Sequence, residues 1–347
     1  MIRRIAALAA VLALLPHSSA QAAVGGWSAP IRLYAASDIQ ARGYAYAPSV
    51  VAGSPTRIYT CHSKAANTIR DDIFLTKVGG TSTSVLTGSG SGWDHFHNCD
   101  PSVVRVNVPF NGQTYSYAMF YLGNDVDASA HNAIGVAVAH NLDGPWVKLP
   151  NPVIQFPGNA PTEWGAGQPT ATTINAADGT VVLAWTQGLP SGNVGKAAQV
   201  SFASGTPVVQ FERVLPMAGL TKSTGEPDDG LNNFDLVYSP PRDRFYLVRE
   251  GHPYPSGSQP DYISDHLQIA SISGAGFWGT PGVSWTVEST ITSARTGRPR
   301  THNPGFLRTA YGTLPNESEL TVVYTSAGYD PDSLWSYTLW QTTAPLS

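Results

Sequence analysis

The sequence predicts an all-β fold: a single five-bladed β-propeller whose N-terminal strand closes the last blade. Three observations predict it. A short motif recurs along the chain, made of a small or polar residue, then Pro, then a small residue, then apolar residues. Each copy is followed by two more short runs rich in β-branched and aromatic residues, with turn residues between them, as strands and hairpins require. No segment carries the long 3.6-residue periodicity of an amphipathic helix.

The chain opens with Arg3 and Arg4, an apolar stretch from Ile5 to Leu15, and an Ala20-Gln21-Ala22 cleavage pattern. That is the grammar of a secretory signal peptide over residues 1–22. The apolar stretch falls well short of the roughly 20 residues that span a bilayer. The propeller is then expected over residues 23–347, soluble and outside the cytoplasm.

The first motif is Ala47-Pro48-Ser49-Val50-Val51, followed by strands starting at Ile58 and Asp71. The second is Asp100-Pro101-Ser102-Val103-Val104, followed by strands from Ala118 and Ala133. The third is Gln168-Pro169-Thr170-Ala171, followed by strands from Val181 and Lys196. The last is Asn303-Pro304-Gly305-Phe306-Leu307, followed by runs from Leu320 and Ser333. Pro304 lies about twice as far from Pro169 as Pro169 lies from Pro101, so a copy without proline belongs near residue 236. Asn233-Phe234-Asp235-Leu236-Val237-Tyr238 stands there, with strands from Phe245 and Asp265 behind it. Units of this length read as blades, being too long for single sandwich strands. Trp27 to Tyr34 precede the first motif and have no unit of their own. They supply the outer strand of the last blade, pair with Ser333 to Trp340, and seal the ring against open edges.

Charged residues make up 13% of the chain, while 34 Gly and 27 Pro suit many turns. Trp and Tyr are frequent and offer flat faces for stacking. A net charge of -4 gives no electrostatic case for nucleic acid or an anionic membrane. Cys61 and Cys99 could pair in an oxidising compartment; with no CxxC present, metal ligation is the weaker reading. No Gly-x-Ser-x-Gly elbow occurs, which disfavours serine hydrolase chemistry.

In a ring of blades, the heads of the innermost strands and the ends of the second strands meet at one open end. The heads contribute Asp38, Arg42, His97, Asp100, Glu163, Gln168, Asn233, Asp235 and His302. The second-strand ends contribute Arg249, Glu250 and His252. Trp93 and Trp164 lie beside heads and could stack on a sugar or pack in the core. Asp100, just before Pro101, is the first candidate carboxylate. Each acid also has a plainer reading as a turn cap or a structural ion pair. His95 and His97 could ligate a metal from one face of an extended strand, but a polar funnel wall is the simpler reading.

Asp100-Pro101-Ser102-Val103-Val104, the strand from Tyr117 to Asp125, the run from Ile134 to Trp146 and the head Trp164 to Thr170 resemble a known group. They are similar to glycoside hydrolase family 43 and related five-bladed furanosidase-like propellers. The resemblance implies hydrolysis of glycosidic bonds in a polysaccharide or oligosaccharide, arabinofuranosyl or xylosyl linkages among them, at the funnel. It implies an Asp base, a Glu acid and a further orienting Asp on three blades. One carboxyl must bring a proton to the leaving oxygen while another, ionised, activates water. Carried onto this chain, Asp100 is the base or orienting carboxylate, Asp235 its partner across the ring, and Glu250 the general acid. Glu163 or Glu226 are substitutes for the acid, and Asp38 is the other candidate base. Two departures stand out: Ala47 occupies the place of the family's base, and the fourth unit lacks its Glu-Gly-Pro acid motif. A propeller that binds glycan without cutting it is therefore the alternative. Related propellers place a histidine near a central cation, so calcium near His302 is the one ion expected, with no cofactor required. The expected partner is carbohydrate and the expected state is a monomer.

Overall fold

The computed structural model describes residues 24–347 apart from 128, 157, 159–162, 191, 258–260 and 330–332. The expected signal peptide lies outside the described residues. After β1 (Ile31–Tyr34) come β2 (Ala45–Val51), β3 (Arg57–Ser63), β4 (Asp71–Lys77) and β5 (Ser82–Leu86). Next are β6 (His97–Phe110), β7 (Gln113–Asn124), β8 (Ala133–Ala139) and β9 (Val147–Lys148). Then follow β10 (Ala166–Asn175), β11 (Thr180–Leu189), β12 (Gly192–Ser201) and β13 (Val208–Val214). The fourth group is β14 (Phe234–Ser239), β15 (Arg244–Glu250), β16 (His266–Ser273) and β17 (Thr286–Thr292). The chain ends in β18 (Arg300–Arg308), β19 (Glu319–Ala327) and β20 (Thr338–Pro345). The one α-helix among the described residues is a single turn, Gly274–Phe277.

Four sheets result. β6–β9, β10–β13 and β14–β17 each form a four-stranded antiparallel sheet in chain order. The remaining strands form one eight-stranded sheet ordered β1-β20-β19-β18-β2-β3-β4-β5. At its middle β18 and β2 are parallel and share only two residue pairs, Leu307 with Val50 and Arg308 with Val51. β1 pairs antiparallel with β20, as the sequence leads one to expect. The last strand starts later than Ser333, because Leu334–Ser336 forms a 3-10 turn. Ser336 holds that turn, its hydroxyl accepting from Gly328 N (2.8 Å) and its carbonyl from Arg298 (2.5 Å).

The core lies between neighbouring strand groups. Val104, Phe120 and Val136 meet Leu183, Trp185 and Phe202. Val182 and Ala184 meet Leu236, Leu247 and Trp285. Val237, Val248 and Ile269 meet Phe306, Val322 and Tyr324. Val51, Tyr59 and Ile73 meet Val103, Met119 and Tyr121. Val50 and Ile58 meet Val323 and Leu339. Each group thus buries its apolar face on the next, and the last returns to the first. This is an all-β arrangement of curled sheets consistent with a propeller.

The five motif heads share one unusual backbone. Ala47 (φ 50°), Asp100 (46°), Gln168 (52°), Asn233 (44°) and Asn303 (37°) are all left-handed. Residues with a Cβ seldom adopt this region, and it stores strain. The ladder slips at four of these heads, between Tyr46 and Ser49, Cys99 and Ser102, Gly167 and Thr170, and His302 and Gly305. Such bulges re-aim a strand at its end.

Two residues past each head sits a latch to the next inner strand. Ser49 Oγ accepts from Val103 N (3.3 Å), and Ser102 Oγ accepts from Ala171 N (3.0 Å). Thr170 Oγ1 accepts from Leu236 N (3.2 Å) and donates to Asp235 Oδ1 (2.5 Å). Asp235 Oδ2 accepts from Phe306 N (2.8 Å). The fifth latch position is Gly305, where a Cβ would lie 2.0 Å from Pro48 O. The absent side chain lets β18 approach β2 backbone to backbone.

Arg308, buried to 1% exposure, joins these latches. Its Nη2 donates to Ser102 Oγ (2.8 Å) and Ser49 Oγ (3.3 Å). Its Nη1 donates to Ala171 O (3.1 Å) and Thr170 Oγ1 (3.2 Å) and lies 3.3 Å from Asp235 Oδ1. One guanidinium on β18 therefore touches β2, β6, β10 and β14. Arg308→Met should cost about 3–5 kcal/mol, since it leaves Asp235 without its buried counter-charge. Gly305→Ala should cost about 1–3 kcal/mol by overpacking. Chemical denaturation reads both, and losses below about 1 kcal/mol would show that the latches do not limit stability.

Candidate active site

The motif heads separate two cavities. Below them a cavity of about 30 Å³, room for about one water, is lined by Ser49, Asp235 and Arg308. Above them a funnel of about 520 Å³ opens outward, within the range of sugar-sized ligand sites. Asp100, Gln168, Asn233 and Asn303 line both.

Asp100 sits on the funnel floor at 8% exposure. Its Oδ2 accepts one bond, from Gln168 N (3.2 Å). Its Oδ1 faces the Cys61–Cys99 disulfide, 3.4 Å from Cys99 Sγ, and disulfide sulfurs carry no proton to share. Burial pushes the Asp100 carboxyl up to about 7, the nearby Asp71 charge adds to this, and the Gln168 N–H opposes it. The disulfide joins β3 to β6 and receives Asp100 N at Cys61 Sγ (2.9 Å), so it braces this residue from behind.

Asp71, which the sequence reading did not select, lines the same funnel. Its carboxylate accepts from Tyr44 Oη (2.5 Å) and Tyr46 Oη (3.2 Å). Its backbone N–H donates to His97 Nδ1 (3.0 Å), which puts the proton of a neutral His97 on Nε2. His97 Nδ1 also lies 3.1 Å from Asp71 Oδ2, a contact that becomes an ion pair only in the doubly protonated ring.

The amide heads bond sideways. Asn233 Oδ1 accepts from Gln168 Nε2 and from Asn303 Nδ2 (3.1 Å). Asn233 N donates to Gln168 Oε1 (2.8 Å). Asn303 Oδ1 is left buried without a hydrogen-bond partner among the described residues.

Of the expected site residues, the structure brings Asp100, His97, Trp164, Gln168, Asn233 and His302 to the funnel. Others are placed elsewhere. Asp235 lies one layer deeper, as a latch against Arg308, because it is two residues past its head and shares the axial cavity. Glu250 is fully buried behind His302 and accepts from His302 Nδ1 (2.5 Å), Asn303 N (3.0 Å) and Tyr254 Oη (2.9 Å). Those three donors and its burial take it off the funnel wall. Arg249 is buried against Asp228 (2.7 Å), and His252 bonds the same carboxylate (2.8 Å). Asp38 is exposed and paired with Arg32 (2.7 Å), and Arg42 lies over the Trp335 ring. Trp93 stacks on Tyr121 (5.7 Å) as packing. Glu163 and Glu226 lie on loops and do not line the funnel.

Asp71, Tyr46, Asn132 and Tyr337 are among the wall residues that the sequence did not single out. A signal for Asp71 was present. In an antiparallel sheet the head of a third strand lies at the same end as the head of the first, and Ser63 at the end of β3 pairs with Asp71.

The residues around His302 do not fit a resident calcium ion. Calcium takes six to eight oxygen ligands. His302 Nδ1 and both Glu250 oxygens are already bonded to one another or to neighbours. Among the described residues the one cluster of three ligand-type side chains is Cys61, Cys99 and Asp100, and its sulfurs form the disulfide.

No family model matches the sequence, and no curated protein matches it. Solved structures do. The catalytic domain of a Coprinopsis cinerea GH62 α-L-arabinofuranosidase aligns over 93% of this chain and 97% of its own, with TM-score 0.57 and 13% identity. The GH43_1 enzyme from Xanthomonas citri complexed with xylotriose aligns over 88% of each chain, with TM-score 0.55 and 14% identity. An endo-arabinase from Bacteroides thetaiotaomicron aligns over 87% and 94%, with TM-score 0.51 and 12% identity. The chain shares the fold of GH43 and GH62 glycoside hydrolase structures over most of its length.

Proposed function

We propose that this chain is an exported five-bladed propeller that hydrolyses glycosidic bonds of a neutral polysaccharide or oligosaccharide in its funnel. The five left-handed heads and the latches between inner strands support five blades. On that count the eight-stranded sheet is two blades joined by the two-pair parallel contact. The disulfide suits an oxidising compartment outside the cytoplasm. The funnel wall offers aromatic rings and amides and, among the described residues, no Lys or Arg, which suits an uncharged sugar. Fold neighbours named as an arabinofuranosidase, an endo-arabinase and a xylotriose complex favour arabinofuranosyl or xylosyl linkages.

The observation that carries the reading is Asp100, a buried carboxyl at the funnel floor pushed up to about 7. Such a group keeps its proton in about half of the molecules at neutral pH and can give it to a leaving oxygen. Asp100 is thus better suited to proton donation than to the base or orienting role that the resemblance implies. A glycan-binding propeller that does not cut is the second reading, favoured by Ala47 at the first head and by Glu250 being tucked behind His302.

Residues 23–347, screened on a polysaccharide panel, should release reducing sugar, and Asp100→Asn should lower kcat by about 100-fold or more. Retained binding with no release by the wild type selects the second reading. Because the proton-bearing form of Asp100 is the active one, kcat/KM should fall as pH rises through about 7. A profile flat from pH 5 to 8 would remove Asp100 as the donor.

A further inference from the structure

We propose that Asp71 is the second catalytic carboxyl, taking a proton from the attacking water while Asp100 delivers one to the leaving oxygen. This rests on the hydrolytic reading above. A proton donor alone does not complete glycoside hydrolysis, because a second carboxylate must act on the other side of the sugar. The two other acids expected at the site are engaged elsewhere. Asp235 holds Phe306 N and the Thr170 hydroxyl beside Arg308, and Glu250 holds three donors behind His302. Among the described residues three carboxyls line the funnel: Asp71, Asp100 and Asp127. Asp127 is exposed on the loop after β7, where water solvates it freely.

Asp71 lines the funnel beside Asp100 and is fixed there. It is 6% exposed, and two phenol donors and the His97 contact hold it in one position. It belongs to the same strand group as Ala47, the first head, which carries no polar side chain. Tyr46 stands between the two acids, its hydroxyl 3.2 Å from Asp71 Oδ2 and 3.2 Å from Cys99 Sγ beside Asp100. The groups facing Asp71 are Tyr44 just before β2 and Tyr46 on it, His62 on β3, His97 and Asp100 on β6, and Tyr337 before β20. Burial raises all three tyrosines, so they remain neutral donors, and burial lowers His62, which favours its neutral form. Among the described residues, Asp71 and Asp100 are left as the buried carboxyl pair of the funnel wall.

The step balances. A water O–H bond breaks as its oxygen bonds the anomeric carbon, and that proton goes to Asp71. The glycosidic C–O bond breaks, and its oxygen takes the Asp100 proton. Exchange with water in the open funnel returns Asp71 to its anion and Asp100 to its acid.

Asp71→Asn tests this in two ways. By carboxyl NMR titration, with no substrate present, the Asp100 midpoint should move below about 7, since a neighbouring negative charge is gone. On a substrate the wild type cleaves, kcat should fall about 100-fold or more, and sodium azide should restore turnover as a glycosyl azide. Asp71→Glu keeps the charge and moves the carboxylate by one methylene, so it should lower kcat while leaving the Asp100 midpoint near its wild-type value. It also serves if Asp71→Asn does not fold. Wild-type-like turnover in Asp71→Asn, or a loss that azide does not restore, would overturn the Asp71 role and leave the hydrolytic reading standing. A wild type inactive on every glycan would overturn both.

Discussion

The interaction on which the rest depends is the guanidinium of Arg308 at the centre of the inner strands. A buried cation is costly unless it is matched, and this one is matched from four sides. Ser49, Ser102, Thr170 and Asp235 each bond or face it, and each but Asp235 is also a hydroxyl latch to the next strand. Asp235 plays the same part with a carboxylate, and so supplies the charge the arginine needs. Any strand group that shifted would leave an unpaired buried group, which is what makes the arrangement specific. Gly305 completes it by having no side chain at the one junction where two backbones must meet.

That central brace supports the site directly above it. The heads are held left-handed one layer above the latches, so strain at Asp100 and Asn303 is borne by structure that cannot relax cheaply. The disulfide adds a second brace under Asp100 and, having no proton, denies that carboxyl a hydrogen bond. Burial then makes ionisation of Asp100 costly, whereas Asp71 receives two phenol donors. Two acids in one funnel thereby meet different environments, the general condition for acid and base roles at a single pH. His302, fixed by Glu250 and stacked on Tyr46, stiffens the far wall.

The motif alignment places Asp100 and Asp235 in different rows. Asp100 aligns with Gln168, Asn233 and Asn303, all of which reach the funnel. Asp235 aligns instead with Ser49, Ser102 and Thr170, two positions on, and those are latches. Side chains two apart on a strand share a face but sit about 6–7 Å apart along it, so the latch row lies a layer below the head row. Glu250 could not be placed this way. It ends its strand at the correct height, yet its carboxylate turns back to three donors supplied by Tyr254, His302 and Asn303. No spacing in the sequence encodes that turn.

By itself the sequence determined the periodic part of the molecule: the strand groups, the five motif heads, the end-to-end pairing of β1 with β20, and the polar composition of the funnel. These follow from local rules, because alternation and turn residues act over a few positions. Only the tertiary structure decided which carboxyl lies in a cavity, which is buried in a bond network, and whether two cysteines on separate strand groups meet. The physical reason is that protonation and reach depend on burial and on neighbours brought from other strands. Asp71 and Asp100 are 29 positions apart in the chain and come into one funnel wall only because two strand groups pack side by side.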